Sequence, residues 1–387
     1  MRSAVVYEVN TRNFSASGDF AGVTARLVDL AELGVTVIWL MPVHPIGVLN
    51  RKGTYGSPYS VRDFYAIDPT FGTADDLKRL IAQAHSLGLK VIIDIVADHA
   101  SWDSVMMAHP EFWTRDAGGA ISSPVPDWTD VAGLDYGNRA LRDYMIAMLQ
   151  YWLREFDLDG FRCDVAGMVP TDFWNEARIA MERVKPSLFM LAEWHSADLL
   201  VQAFDAVYAW PFHKALNAVF MEGAPATLLS DTWRRDRSAM PEGALELRFS
   251  DNHDEKRAIA RFGQRGALAA SLLMFMLDGI PLLYNGQEVG DTTESGAPAL
   301  FERVPIVWDN GEFRLSYQKL ITLRRAHSAL QQGPVEWLDG ADSDRVLRFA
   351  RGAFTVTINC SNQLAGELQA WGARVTGAAG ETLLELL

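Results

Sequence analysis

Short runs of β-branched and aromatic residues alternate along this chain with amphipathic stretches of helical period. Val5 to Val9 reads as a buried strand, and Val23 to Leu33 as a helix closed by Gly34. Val35 to Leu40 is a second strand, stopped by Pro42. Strand, helix, strand is already a βαβ unit, and the pattern repeats. The spacing predicts a helix from Thr73 to Leu87 with Gly88 behind it, a strand over Lys90 to Val96, a helix over Asn138 to Glu155 and a strand over Gly160 to Asp164. The next pairs are Thr171 to Val184 with Leu188 to Ala192, and Ala197 to Ala203 with Asp205 to Trp210. Leu245 to Phe249 and Pro281 to Tyr284 complete eight short apolar strands. Alternation of this kind implies parallel pairing, and eight strands at this chain length predict an α/β fold, a closed (β/α)8 TIM barrel.

Two segments break the alternation. Residues 98–137 carry few strong periods, several Gly and Pro, and the aromatics Trp102, Phe112, Trp113 and Trp128; they read as a short inserted domain after the third strand. Beyond residue 330 the period falls to two, as in Val346 to Phe349 and Phe354 to Ile358, which predicts a small C-terminal all-β domain over 331–387. The barrel would then occupy 1–97 and 138–330.

Composition narrows the choice of partner. The 387 residues are 49% hydrophobic and 22% charged, as expected of a folded globular protein. The net charge of −14 argues against nucleic acid and anionic membranes as partners and suits a neutral substrate. Two cysteines, Cys163 and Cys360, are too few for a disulfide framework. With no basic, apolar, cleavable segment at Met1 to Val9, the expectation is a cytoplasmic protein. Oligomeric state is not legible.

In such a barrel, reactive residues sit at the C-terminal ends of the strands. Reading only those ends collects Asp98 and His99 after the third, Arg162 and Asp164 on the fourth, Glu193 after the fifth, and Asn252-His253-Asp254 after the seventh. Arg162 and Asp164 stand two apart on one strand and so face the same way, an arrangement that holds a carboxylate ionised. Carboxylates converging on one rim repel, so one of them holds a proton near neutrality. A carboxylate beside a protonated carboxylic acid is the equipment of a retaining glycosidase.

These strand ends resemble the four conserved regions of the α-amylase superfamily, glycoside hydrolase family 13: Asp94 to His99, Gly160 to Asp164, Leu191 to Trp194, and Phe249 to Asp254, in order. Gly56-Ser57-Pro58-Tyr59 and Phe71-Gly72-Thr73 look like further landmarks of that family. The resemblance implies Asp164 as nucleophile, Glu193 as general acid/base and Asp254 as the carboxylate that stabilises the transition state. It implies sugar contacts from Tyr59, His99, Arg162, Trp194 and His253. The substrate it implies is an α-glucan: α-1,4 bonds in starch-type glucans or maltooligosaccharides. An α-glucosidase, cyclomaltodextrinase or 4-α-glucanotransferase would use the same catalytic set, and a non-catalytic binding protein would have lost its carboxylates.

The match departs from the family in two places. Asp98 replaces an asparagine that ligates calcium in many members, and Gly167 and Met168 stand where a basic residue and a histidine are usual. Aspartate can also bind calcium, so Asp98 is the candidate metal ligand and calcium the possible cofactor. Other features have plainer readings. Asp94 reads as structural support, Cys163 as a small buried hydrophobe, and His44, His85, His109, His213 and His327 as surface or packing residues, with His195 behind Glu193 the best exception. Of the tryptophans, Trp102, Trp128, Trp194 and Trp210 are the candidates for sugar stacking. The short insert predicts an open groove.

Overall fold

The computed structural model describes residues 1–308 and 312–386. Eight parallel strands close a barrel: β1 (Val6–Val9), β2 (Val37–Leu40), β3 (Lys90–Val96), β6 (Gly160–Asp164), β7 (Phe189–Ala192), β8 (Ala206–Tyr208), β9 (Glu246–Arg248) and β10 (Ile280–Tyr284). Between β3 and β6 lies a small antiparallel pair, β4 (His99–Ser101) with β5 (Val131–Gly133). A separate antiparallel sheet closes the chain in the order β11 (Glu336–Trp337), β12 (Val346–Arg351), β13 (Phe354–Asn359), β14 (Ala373–Thr376) and β15 (Thr382–Leu386).

Alternation along each strand divides the core in two. Val6, Trp39, Ile92, Leu191, Tyr208, Leu247 and Leu282 fill the barrel, while the residues between them join a larger cluster under the surrounding helices. Cys163 belongs to that outer cluster. Strand β6 begins at Gly160, where φ is +146° and a Cβ would stand 1.8 Å from the Phe189 carbonyl, so a side chain there would push β7 away. The register places Asp94 beside Arg162 and Val96 beside Asp164, which brings the polar ends of β3 and β6 to one level.

Local chemistry sets the helix limits. Thr73 caps the helix Ala74–Ser86 through a reciprocal capping box with Asp76. Asn138 caps the helix Arg139–Phe156 through the amides of Ala140 and Leu141. Three expectations shift. Val23 to Leu33 is split into Phe20–Thr24 and Leu27–Leu33. Ala197 to Ala203 shortens to one 3-10 turn, Asp198–Leu200, where the Ser196 hydroxyl bonds the Asp198 carboxylate. Trp210 opens the helix Trp210–Glu222 rather than ending a strand, because Pro211 suits a first helical turn. No described helix is long and apolar enough to cross a membrane.

Candidate active site

A cleft of about 510 Å³ opens over the C-terminal ends of the strands. Its floor is built on Arg162, which is fully buried. One terminal nitrogen of that guanidinium, Nη1, donates to Asp164 Oδ1 at 2.8 Å and to Asp94 Oδ1 at 2.9 Å; the other, Nη2, faces Glu193 Oε1 at 2.8 Å. Nε donates to the Tyr208 hydroxyl at 3.2 Å. One cation thus meets three carboxylates in a site almost closed to water. They cannot all be ionised at low cost.

Burial decides which give way. It pushes Asp94 up to about 7, against the pull of Arg162. It pushes Glu193 up to about 8, again against Arg162 and with help from Asp164 and Asp254. Glu193 also accepts the Val165 amide at Oε2, 2.9 Å away, so the side chain is held from both ends. Val165 takes φ 36°, ψ 46°, a left-handed conformation that a β-branched residue rarely adopts and that directs this amide at Glu193.

A second cation faces the floor from the loop after β9. His253 Nδ1 lies 2.5 Å from Glu8 Oε1, and Nε2 lies 2.7 Å from the Tyr59 hydroxyl and 3.2 Å from Asp254 Oδ2. Burial alone would lower this imidazole, but Asp254 and Glu8 carry it up to about 9. The Tyr59 ring stacks on His253 with centroids 5.0 Å apart, and its hydroxyl also donates to Asp94 Oδ2 at 3.1 Å. Asp254 is the most open of the carboxylates, with 43% of its side chain exposed.

Of the site residues predicted from sequence, Tyr59, His99, Asp164, Glu193, His253 and Asp254 line this cleft. Two placements correct the expected sugar contacts. Arg162 lies beneath the floor with no exposed surface, spent on the carboxylates and Tyr208. Trp194 flanks the cleft without lining it, and its indole lies against Gly167 so closely that a Cβ there would come within 2.2 Å. Trp128 lines the wall beside His99, ring centroids 5.2 Å apart. Trp102 donates its indole N–H to the Thr129 carbonyl, and Trp210 packs on Tyr208 and Phe249; neither lines the cleft.

Other residues escaped the sequence reading. Glu8 sits in Val6-Tyr7-Glu8-Val9, where one acidic residue in an apolar strand gave no signal beyond its inward register with Trp39. Lys52, Leu300 and Phe301 also line the cleft, and Lys52 bonds the insert through Asp130 at 3.0 Å and the Asp127 carbonyl at 2.9 Å. The insert itself supplies His99, Asp127, Trp128, Asp130 and Val131 to the cleft lining.

Asp98 would need carbonyl or amide oxygens besides acidic side chains to complete a calcium shell. Its carboxylate faces His99 Nδ1 at 3.4 Å and its carbonyl accepts the Leu134 amide. Among the described residues it joins no group of three metal-ligating side chains, whereas calcium takes six to eight oxygens.

Residues 8–116 and 126–343 match the family described as "Alpha amylase, catalytic domain". The alpha-amylase MalA of Haloarcula japonica is 30% identical over 375 residues, 90% of this chain and 53% of its own length. A cyclomaltodextrinase from a Bacillus species is 29% identical, covering 90% of this chain and 66% of its own length. The chain therefore spans between half and two thirds of these curated relatives. Among solved structures, a noncanonic maltogenic alpha-amylase from Thermotoga neapolitana superposes with a TM-score of 0.88 at 32% identity, over 97% of this chain and 89% of its own. An alpha-amylase from Lactobacillus plantarum gives 0.86 at 35% identity, over 96% and 90%.

Proposed function

The chain belongs to the alpha-amylase family, and from that membership we propose that it is a retaining hydrolase of α-1,4-glucosidic bonds in starch-type glucans or maltooligosaccharides. The observation that carries this reading is the single guanidinium of Arg162 shared by Asp164 and Glu193 under the cleft. Carboxylates held by neighbouring nitrogens of one fork suit the short separation of a retaining pair, about 5–5.5 Å, rather than the wider inverting one.

In this reading Asp164 attacks the anomeric carbon as Glu193 gives its proton to the departing glycosidic oxygen. The bond to that oxygen breaks and a glycosyl ester of Asp164 forms. Glu193, now a carboxylate, takes a proton from water, whose oxygen attacks the same carbon and releases Asp164. Two features support the double role of Glu193. Burial among anions favours its acid form for the first step, and the Val165 N–H donor and the Arg162 charge favour its carboxylate for the second. Asp254, facing His253 at 3.2 Å, would stabilise positive charge on the sugar ring, and Tyr59, His99 and His253 would hold that sugar. Asp164→Asn is expected to lower kcat about a thousandfold or more with an unchanged circular dichroism spectrum. Full activity in that variant would end the assignment.

The lining favours short or cyclic maltooligosaccharides over polymer as the better substrates, because Lys52 is tied to Asp130 and the Asp127 carbonyl of the insert across the cleft margin. Product analysis with starch, a cyclodextrin and maltose, each at equal mass, separates an amylase from a cyclomaltodextrinase, glucosidase or transferase. Faster turnover of starch than of either smaller substrate would contradict this preference.

The division into 1–97 and 138–330 for the barrel, 98–137 for the insert and 331–387 for the terminal sheet belongs to the same reading, supported by β4 and β5 within the second span and β11 to β15 within the last. Calcium is given no step. Calcium added to metal-stripped protein is expected to leave turnover unchanged; a gain lost in Asp98→Ala would restore the ion to that residue. A reducing, cytoplasmic setting is supported by two free, buried cysteines and is tested by fractionating the producing cells.

A further inference from the structure

We propose that His195, Asp236 and Glu246 form a binding site for a divalent transition-metal ion of the zinc class, outside the catalytic cleft. Each residue offers one ligand atom, and the three atoms lie within 4.8 Å of one another. His195 Nε2 and Glu246 Oε1 are 3.3 Å apart, the separation of two ligands that each stand about 2.0–2.2 Å from a shared ion.

The second observation is that no group outside the trio satisfies these atoms, His195 and Glu246 meeting only each other. His195 Nε2, Asp236 Oδ2 and Glu246 Oε1 are all buried without a hydrogen-bond partner. Asp236 and Glu246 are each only 4% exposed. Buried polar atoms left unmade are uncommon in native structures, and here three of them face one spot. Supporting contacts hold the ligands in place. Glu246 Oε2 accepts Arg248 Nη2 at 2.7 Å, and Arg248 in turn lies 3.5 Å from Asp278, so the guanidinium is balanced without the ligand oxygen.

The three residues come from separate elements. His195 is two residues beyond Glu193, Asp236 lies in the helix Thr227–Ala239, and Glu246 opens β9. Leu247 and Phe249 point into the barrel, so Glu246 points the other way, under the helix layer. None of the three lines the cleft. The His195 side chain is 18% exposed, which leaves the ion a route from solvent.

One imidazole nitrogen and two carboxylate oxygens select zinc, cobalt or manganese over calcium, which prefers an all-oxygen shell. Bound there, the ion would tie the loop carrying Glu193 to β9 and to the helix Thr227–Ala239. It is a positioning site and touches no substrate.

Metal-stripped full-length protein titrated with zinc tests this. We expect one equivalent to bind and the Tm to rise, cobalt to give visible absorption bands of a nitrogen- and oxygen-ligated ion, and calcium to leave both readouts unchanged. His195→Gln and Asp236→Asn should each weaken zinc binding tenfold or more; His195, being partly exposed, is the variant whose folding is least at risk. No saturable binding, or equal affinity in both variants, would overturn the site and leave a histidine–carboxylate ion cluster in its place.

Discussion

Arg162 spreads one positive charge over Asp94, Asp164 and Glu193, and the protonation of its partners follows from that shortage. Glu193 must be protonated to act as an acid, and its proton leaves near pH 8. The basic limb of kcat/KM is therefore expected to fall as pH rises through about 8. Glu193→Gln should lower kcat about a hundred- to ten-thousandfold and remove that limb; an unchanged limb in the variant would assign it elsewhere. Stability has the same sign. Glu193, Asp94 and Glu8 are raised by burial, and His253 is raised by Asp254 and Glu8 against its burial. The native state thus binds more protons than the unfolded chain between the ordinary and the raised values. Their contribution is complete below the unfolded values and is lost as pH rises toward about 9. Urea midpoints at pH 6 and 9 check this, with a shallower decline expected in Glu193→Gln and an equal decline counting against it. At this scale the strand-end rule found Asp164, Glu193, Asp254, His99 and His253. It missed Glu8 and Lys52, because what they do depends on residues more than 75 positions away, His253 and Asp130.

Among the elements, those with a strong local signal matched best. Lys90 to Val96 and Gly160 to Asp164 keep both predicted ends, and Asn138 and Thr73 stand outside their helices as caps. Thr73→Ala should cost about 1 kcal/mol of stability without changing KM, since it removes the side chain that satisfies the Asp76 amide far from the cleft. The helix expected at Ala197 to Ala203 failed because Ser196 and Asp198 make a local polar bond in its place. The turn after β6 carries the larger consequence. Gly167 leaves room for the Trp194 indole, so Gly167→Ala must displace either the turn or the ring. We expect a lower Tm and an unchanged product-length distribution from that variant, read by chromatography of maltooligosaccharide digests, because Trp194 does not line the cleft; an altered distribution would return Trp194 to the substrate.

Across the whole molecule, buried guanidiniums, as well as apolar packing, close the C-terminal part of the barrel and join it to the terminal sheet, Arg324 acting within the barrel and Arg351 of β12 making the join. Arg324 donates to the carbonyls of Phe275, Leu277, Gly279 and Leu330, and Arg351 to that of Met276. Arg324→Met would leave four buried carbonyls without this donor, at a cost of about 3 kcal/mol or more, and should lower the Tm with no change in the pH profile. The barrel and the sheet were legible from the change of hydrophobic period near residue 330, but these ties were not, since an arginine in a helix reads as surface. The share of the insert in the cleft lining was also hidden, because its shortness says nothing of where Trp128 and Asp130 are held. In the proposed mechanism Asp164 and Glu193, which share the Arg162 fork, act in a double displacement. Proton NMR of a maltooligosaccharide digest, recorded before the new reducing ends mutarotate, reads this directly. The account predicts that α-anomeric product appears first; β-anomeric product appearing first would contradict it.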